Sequence, residues 1–546
     1  MRVFHDGVKK LVIENLDGDD CISFLGQVIS DFDNVDGIVL GLYQYVESKN
    51  HGKILIEQRF IVKSDFFDEN YTDKTVELGS KVVGSETNFV LWAPTAVDVK
   101  LEIGGNLLPM SRDVKGFYTI TLDRNCAGES YLYHLDINGE NVTSCDPYAK
   151  ATLPNRKASV VVDIEFDKVP LNNLGDVILE MHVRDFSMDP EVPFKHRGQF
   201  LGLLESHGDY GFKHILDLGV DVVQLQPVTD FETVDELNPF DAYNWGYDPM
   251  QFFALEGSYS SNVHDPIQVL KDFSRVVNEF HKNGLAVTMD VVFNHIYEVN
   301  GSSLDACVPY YYFRYVDGKL SDGTFCGNEI ASEFTMVRKF IVDACVYFVE
   351  MFDIDGYRFD LMGITDLETM NEIRDRLVSI KPNILLYGEG WNMACGLDES
   401  NRATMQNADK LPGYAFFNDH FRNTITSTIG GVILDKALLD DVMEGSPSIF
   451  SSHSQTINYV ECHDNYTMAD QLALIGSGVE GAYSPIKAVM EAKGYAFLQI
   501  GQSFFRDKKL VENSYKSDDG VNRINWSYLD RYKELNEETK KLIKSR

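Results

Sequence analysis

From about Asp176 onward one pattern recurs eight times: a short, continuously apolar or β-branched run followed by a longer stretch of helical periodicity. The runs are Val177–Val183, Val220–Leu225, Ala286–Val292, Ile354–Phe359, Ile384–Tyr387, Tyr414–Phe417, Ile457–Val460 and Tyr495–Ile500. Helical patterns such as Pro266–Asn283, Ser332–Phe352 and Asp366–Ile380 lie between them. Strands that are apolar throughout, rather than alternating, must be covered on both faces, which calls for a parallel sheet sheathed by helices. Eight strand–helix units predict a closed (β/α)8 barrel. A doubly wound open sheet fits the alternation too, but no GxGxxG follows any of the runs, so the barrel is preferred.

The first third reads differently. Residues 1–80 hold short apolar stretches, Lys53–Val62 among them, broken by acidic clusters such as Asp65–Glu69, and suggest a small β-rich module. Residues 81–170 show strand signals at short intervals: Asn88–Trp92, Val97–Ile103, Gly116–Leu122, Tyr131–Ile137 and Ser159–Ile164. Gly104-Gly105, Asn138-Gly139 and Asp146-Pro147 separate them as turns, the spacing of a compact β-sandwich. The expected organisation is therefore two small β modules followed by a barrel over residues 171–546.

Charge narrows the partners. Asp plus Glu number 84 and Lys plus Arg 49, a formal net charge of −35. Such a chain offers no electrostatic footprint for nucleic acid or an anionic membrane. No run approaches a spanning helix, and the start, MRVFHDGVKKLVIENLDGDD, carries no apolar signal region. The eight cysteines are scattered without a CxxC or a clustered histidine, so neither a disulfide nor a metal framework is expected, and the location is read as cytoplasmic.

Among so many carboxylates, three stand out by position. Asp360, Glu389 and Asp464 each close a different apolar run. At the carboxyl ends of barrel strands such acids converge on one pocket, the geometry that two-carboxylate glycosidic chemistry requires. One acid must stay protonated and another ionised, so their surroundings must differ. Arg358, two residues before Asp360, faces the same side of its strand and favours the ionised carboxylate. The flank of Glu389, Tyr387 and Trp391, favours the protonated one. The alternative is that these acids only cap the following helices. His295 and His463 also end runs, and in the same layer as the acids they suit the binding of sugar hydroxyls. The loop Tyr243–Pro249 (YNWGYDP), with Trp245 and Tyr247, offers aromatic faces for sugar rings.

The strings DVVFNH (Asp290–His295), GYRFD (Gly356–Asp360), YGEGW (Tyr387–Trp391) and YVECHDN (Tyr459–Asn465) resemble, in order, the four signature regions of the α-amylase superfamily. YNWGYDP is similar to the signature loop of the type I pullulanases, as are HVRDFS (His182–Ser187), LEGSYS (Leu255–Ser260), WAPT (Trp92–Thr95) and GLYQYVE (Gly41–Glu47). The resemblance covers nearly the whole chain. It implies Asp360 as nucleophile, Glu389 as acid/base and Asp464 as stabiliser of the transition state. It also implies Asp290, His295, Arg358 and His463 as substrate-binding and electrostatic positions, and Tyr247 as stacking platform.

The expected activity is retaining hydrolysis of α-1,6 branch links in pullulan, glycogen or starch-derived dextrins, with a branched α-glucan as partner. Isoamylase-type debranching or branching transglycosylation is the neighbouring alternative, and a catalytically silent glucan-binding protein the alternative of another class. No cofactor is required by this chemistry. Asn294 matches a calcium position of many α-amylases, so calcium is admitted as a structural ion while its ligands stay unassigned. Two departures from the family pattern are expected to matter. Gly501-Gln502-Ser503 stands where the family usually reads Gly-Gln-Glu, and after Ser527–Lys544, read as the last barrel helix, the usual carboxy-terminal β-sandwich is expected to be lacking. The amino-terminal modules resemble starch-binding-like domains that more often brace the barrel than bind glucan.

Overall fold

The computed structural model describes every residue except 172, 430 and 432–434. It divides into two compact units: Met1–Ile164 with Met250–Ala254 and Ile296–Ile341, and Glu165–Pro249 with Leu255–His295 and Val342–Arg546.

The first unit opens with a six-stranded sheet in the order Lys10–Glu14, Arg2–Gly7, Gly52–Gln58, Tyr45–Ser48, Ile22–Phe24, Gln27–Val28. Val3, Leu11, Ile22, Phe24, Val46 and Ile56 form its buried core. Two further sheets follow. One is four-stranded (Ser111–Arg112, Phe117–Leu122, Glu86–Trp92, Gly79–Val83); the other holds Asn106–Pro109, Asp98–Ile103, Ser130–Ile137 and Glu140–Ser144, with Ser159–Val160 paired to Ser130–Ile137. Alternation decides which face turns inward: Val99, Leu101 and Ile103 are buried while their neighbours are half-exposed. Phe89 and Tyr131, one from each sheet, meet edge to face at 5.0 Å. Asn138 and Gly139 both take positive φ, 52° and 83°, the two-residue turn that matches strand twist. Within the same unit Tyr311 packs edge-on against Trp92 at 4.9 Å.

The second unit is a closed barrel of eight parallel strands. We number them β1 (Val177–Met181), β2 (Val222–Leu225), β3 (Ala286–Val291), β4 (Gly356–Phe359), β5 (Leu385–Gly388), β6 (Tyr414–Phe417), β7 (Thr456–Asn458) and β8 (Tyr495–Gln499). All eight apolar runs became strands, one or two residues shorter than the runs except at β5 and β6, which keep the length of theirs. The barrel closes because β1 pairs with both β2 (Ile178↔Val222) and β8 (Val177↔Ala496). Its interior is filled rather than hollow, with Ile178, Val222, Ala286, Tyr387, Phe417 and Phe497 in one buried cluster. The predicted helices appear as Gln268–Lys282, Thr335–Phe352 and Leu367–Ile380. The last of these starts where the Asp366 side chain accepts from the Thr369 amide. Ser527–Lys544, expected as one helix, is two, Ser527–Arg531 and Lys533–Ser545, broken at Tyr532 (φ −113°, ψ 35°).

Candidate active site

Strand register brings the polar residues together. Asp290 of β3 lies opposite Arg358 of β4, which in turn lies opposite Tyr387 of β5. Arg358 is 2 % exposed and organises three acids. Its Nη1 donates to Asp360 Oδ1 at 2.7 Å and to Asp290 Oδ1 at 3.0 Å, and its Nη2 pairs with Glu389 Oε1 at 2.6 Å. A planar guanidinium, unlike an ammonium, can hold separate carboxylates in fixed directions. Asp360 is held a second time by Asn294, whose Nδ2 donates to Asp360 Oδ2 at 2.8 Å and to its carbonyl at 2.9 Å.

The backbone here is unusual. Leu361, directly after Asp360, takes φ +40°, a left-handed conformation that bulky residues rarely adopt. In that conformation its amide donates to Glu389 Oε2 at 3.1 Å. Two residues on, the Gly363 amide donates to the Glu389 carbonyl at 3.0 Å, and a Cβ on Gly363 would lie 2.0 Å from the Trp391 carbonyl oxygen. The loops after β4 and β5 are thus fastened to each other backbone to backbone.

A cavity of about 290 Å³ opens at this end of the barrel, with Arg358, Glu389, Trp391, His463 and Asp464 among its walls. Burial, reinforced by the charges of Asp360 and Asp464 and opposed by Arg358, raises the Glu389 carboxyl to about 7. The Tyr387 hydroxyl points into the barrel, donating to Gln224 Oε1 at 2.8 Å, while Trp391 lines the cavity. Asp290, fully buried, is pushed upward by burial against the pull of Arg358. His463 is raised to about 9: burial acts to lower it, but Asp464 and Glu180 together outweigh that.

The remaining expected residues surround this centre. Tyr247 stacks on His463 (4.9 Å, 16°) and donates its hydroxyl to Asp290 Oδ2 at 2.7 Å. Trp245, 5 % exposed, meets His463 edge-on at 4.9 Å, so it supports that ring more than it offers an open face. His295 Nε2 lies 3.0 Å from the Tyr247 carbonyl oxygen, and its Nδ1 faces Asn294 Oδ1. Asp464, with its side chain 46 % exposed, is the most open of the acids.

Sequence reasoning missed Glu180, Asp419 and Arg422, which also line the cavity, and Lys508, whose Nζ donates to the His463 carbonyl at 2.8 Å. For Glu180 the signal was present, a lone acid in the otherwise apolar run VILEM. Ser503 is 2 % exposed. Outside the cavity, Asp230, Glu236 and Glu256 could share a metal ion: their oxygens lie within 4.8 Å of one another and all three residues are buried. Burial and the Asp230 charge raise Glu256 to about 8. An all-carboxylate set fits a hard cation such as calcium better than zinc.

Comparison with known proteins agrees with this architecture. Residues 77–149 match Carbohydrate-binding module 48 (Isoamylase N-terminal domain). The chain is 37% identical over 508 residues to the pullulanase of Bacillus subtilis (strain 168), covering 86% of this chain and 70% of that one. It superposes on the crystal structure of the pullulanase of Anoxybacillus sp. LM18-11 complexed with maltotetraose with a TM-score of 0.93, at 33% identity, over 100% of this chain and 86% of that one. On the pullulanase type I of B. subtilis str. 168 complexed with maltose the TM-score is 0.91 at 32% identity, over 100% and 85% of the two chains. No helix among the described residues is long and apolar enough to cross a membrane.

Proposed function

Because the chain belongs to the type I pullulanases, which are glycoside hydrolases of the α-amylase superfamily, we propose that it hydrolyses α-1,6-glucosidic branch links in pullulan, glycogen or starch-derived dextrins with retention of configuration. The observation that carries this reading is one buried guanidinium, Arg358, binding both Asp360 and Glu389 at the ends of adjacent strands beside a cavity that Asp464 shares. The maltooligosaccharides in the structures of its relatives support a glucan as the ligand of that cavity.

In the proposed reaction Asp360 attacks the anomeric carbon while Glu389 delivers its proton to the bridging O6, and the bond from that carbon to O6 breaks. The glucosyl–Asp360 ester is then opened by water, whose proton returns to Glu389. Retention calls for the two carboxyl groups to stand about 5–5.5 Å apart in the working complex. A neutral Glu389 beside a paired Asp360 is the division of labour this requires, and burial against Arg358 pairing is its cause. Asp464 and His463 hold ring hydroxyls as the sugar flattens toward an oxocarbenium ion. Asp290 and Tyr247 support Arg358 and His463 from behind. Calcium held by Asp230, Glu236 and Glu256 would neutralise buried charge and supply no step of this chemistry.

Incubation with pullulan tests the reading. Maltotriose as product, absent with Asp360→Asn, supports α-1,6 hydrolysis; panose or isopanose would mean α-1,4 cleavage and overturn the linkage assignment.

A further inference from the structure

Glu180, the penultimate residue of the first barrel strand, is 1 % exposed and has no part in the reaction as written above. Its carboxylate is fully engaged. Oε1 lies 2.7 Å from His463 Nδ1 and accepts from Gln224 Nε2 at 3.3 Å, and Oε2 accepts from the His463 backbone amide at 2.8 Å. Gln224 is itself fixed by the Tyr387 hydroxyl, which also meets Thr288 at 2.9 Å, so a chain of polar contacts across β1, β2, β3 and β5 ends on Glu180. Substrate cannot displace such a group cheaply, because an unpaired buried carboxylate is costly.

We propose that Glu180 is a positioning residue for the hydrolysis: it grips His463 by ring nitrogen and backbone amide at once, and so holds that ring fixed and cationic toward the sugar site. The ring has one face on Tyr247 and its edge against Trp245, which leaves Nε2 directed to the side of Asp464, 3.6 Å from Oδ2. A neutral imidazole in that place with Nδ1–H given to Glu180 could only accept at Nε2. The imidazolium donates at both nitrogens, so with Nδ1–H given to Glu180 it can still donate Nε2–H to a sugar hydroxyl oxygen. The charged and titratable groups facing the ring are Glu180 from β1, Tyr247 from the aromatic loop, Asp290 from β3, Arg358 from β4, Asp464 beside it in the chain, and Lys508 on its carbonyl. Of these, Glu180 is the carboxylate that touches Nδ1, and without its charge and hydrogen bond Asp464 alone of the two carboxylates that raise the ring is left to oppose burial and Arg358.

The inference rests on the proposed glucan hydrolysis, so wild-type activity on pullulan is the first control: if it is absent, that reading fails and the Glu180 inference is decided by the ring titration alone. The experiment is nuclear magnetic resonance titration of ¹⁵N-histidine-labelled full-length protein, with the His463 signal assigned from His463→Asn, alongside kcat against pH on pullulan. In Glu180→Gln, an isostere that removes the charge and whose single amide oxygen can accept from only one of the two His463 N–H groups, the ring midpoint is expected to fall by about two pH units. Over the same pH interval kcat falls about tenfold. Glu180→Asp, which keeps the charge, is expected to leave the ring cationic at pH 8. In the His463→Asn background Glu180→Gln should cost nothing further. An unchanged His463 midpoint in Glu180→Gln, or losses that simply add in the double variant, would overturn the inference.

Discussion

At the scale of single residues the site is a contest between burial and charge, and Arg358 decides it. Three acids around one guanidinium leave uncompensated buried charge if the guanidinium goes. Arg358→Met is therefore expected to abolish activity and to lower stability by about 3–5 kcal/mol, read from denaturant unfolding. Arg358→Lys should fail nearly as badly in activity, because a point charge cannot reach Asp290, Asp360 and Glu389 together. Glu389 must carry a proton to act, and its carboxyl is raised to about 7, so kcat should fall as pH rises through that region. The basic limb is then set by Glu389, and replacing it by Gln should lower kcat on pullulan by about 10²–10⁴-fold and flatten that limb. Asp360, Glu389 and Asp464 were legible as sequence because each closes an apolar run, and Arg358 because it stands two residues before Asp360. Asp419 and Arg422 were not, and Glu180, though visible as a lone acid in an apolar run, gave no sign of its partner. Their roles depend on which strands become neighbours, and Glu180 meets His463 across 283 positions of chain.

At the scale of elements, the barrel strands were legible because both of their faces are buried, which forbids alternation. Their ends were less so. The run from Ile354 suggests a strand beginning two residues before Gly356, where β4 starts; the intervening Asp355 is spent on His281 and Lys381, with the His281 contact at 2.7 Å. The short strands Asn106–Pro109 and Glu140–Ser144 escaped notice because, short and mostly exposed at the edge of their sheet, they show no alternation of apolar and polar residues. The joint between the loops after β4 and β5 makes a sharper claim. Gly363→Ala places a methyl group 2.0 Å from the Trp391 carbonyl oxygen, and the loops must part. Because the Gly363 amide also holds the Glu389 carbonyl, kcat should drop by about 10²-fold with substrate KM little changed, measured by steady-state kinetics on pullulan.

At the scale of the whole molecule, charge and ligand are mismatched in an informative way. A chain of formal charge −35 acting on a neutral polysaccharide gains nothing from long-range attraction. Its kcat/KM on pullulan should accordingly change by less than about twofold between low and high salt, since screening removes no steering term. A tenfold fall with salt would mean that a charged ligand had been overlooked. The two-part layout of β modules and barrel was visible in the change of periodicity near Asp176. The inclusion of 296–341 with the amino-terminal unit was not, because no local pattern marks an excursion of this kind.

Proton nuclear magnetic resonance of a pullulan digest reads both the linkage cleaved and the anomer released, and so tests α-1,6 hydrolysis with retention through Asp360 in one experiment. The α-1,6 anomeric signal is expected to be lost, with new reducing ends appearing first as the α-anomer and reaching the β-anomer only by mutarotation. Loss of the α-1,4 signals instead, or β-anomer appearing first, would contradict it.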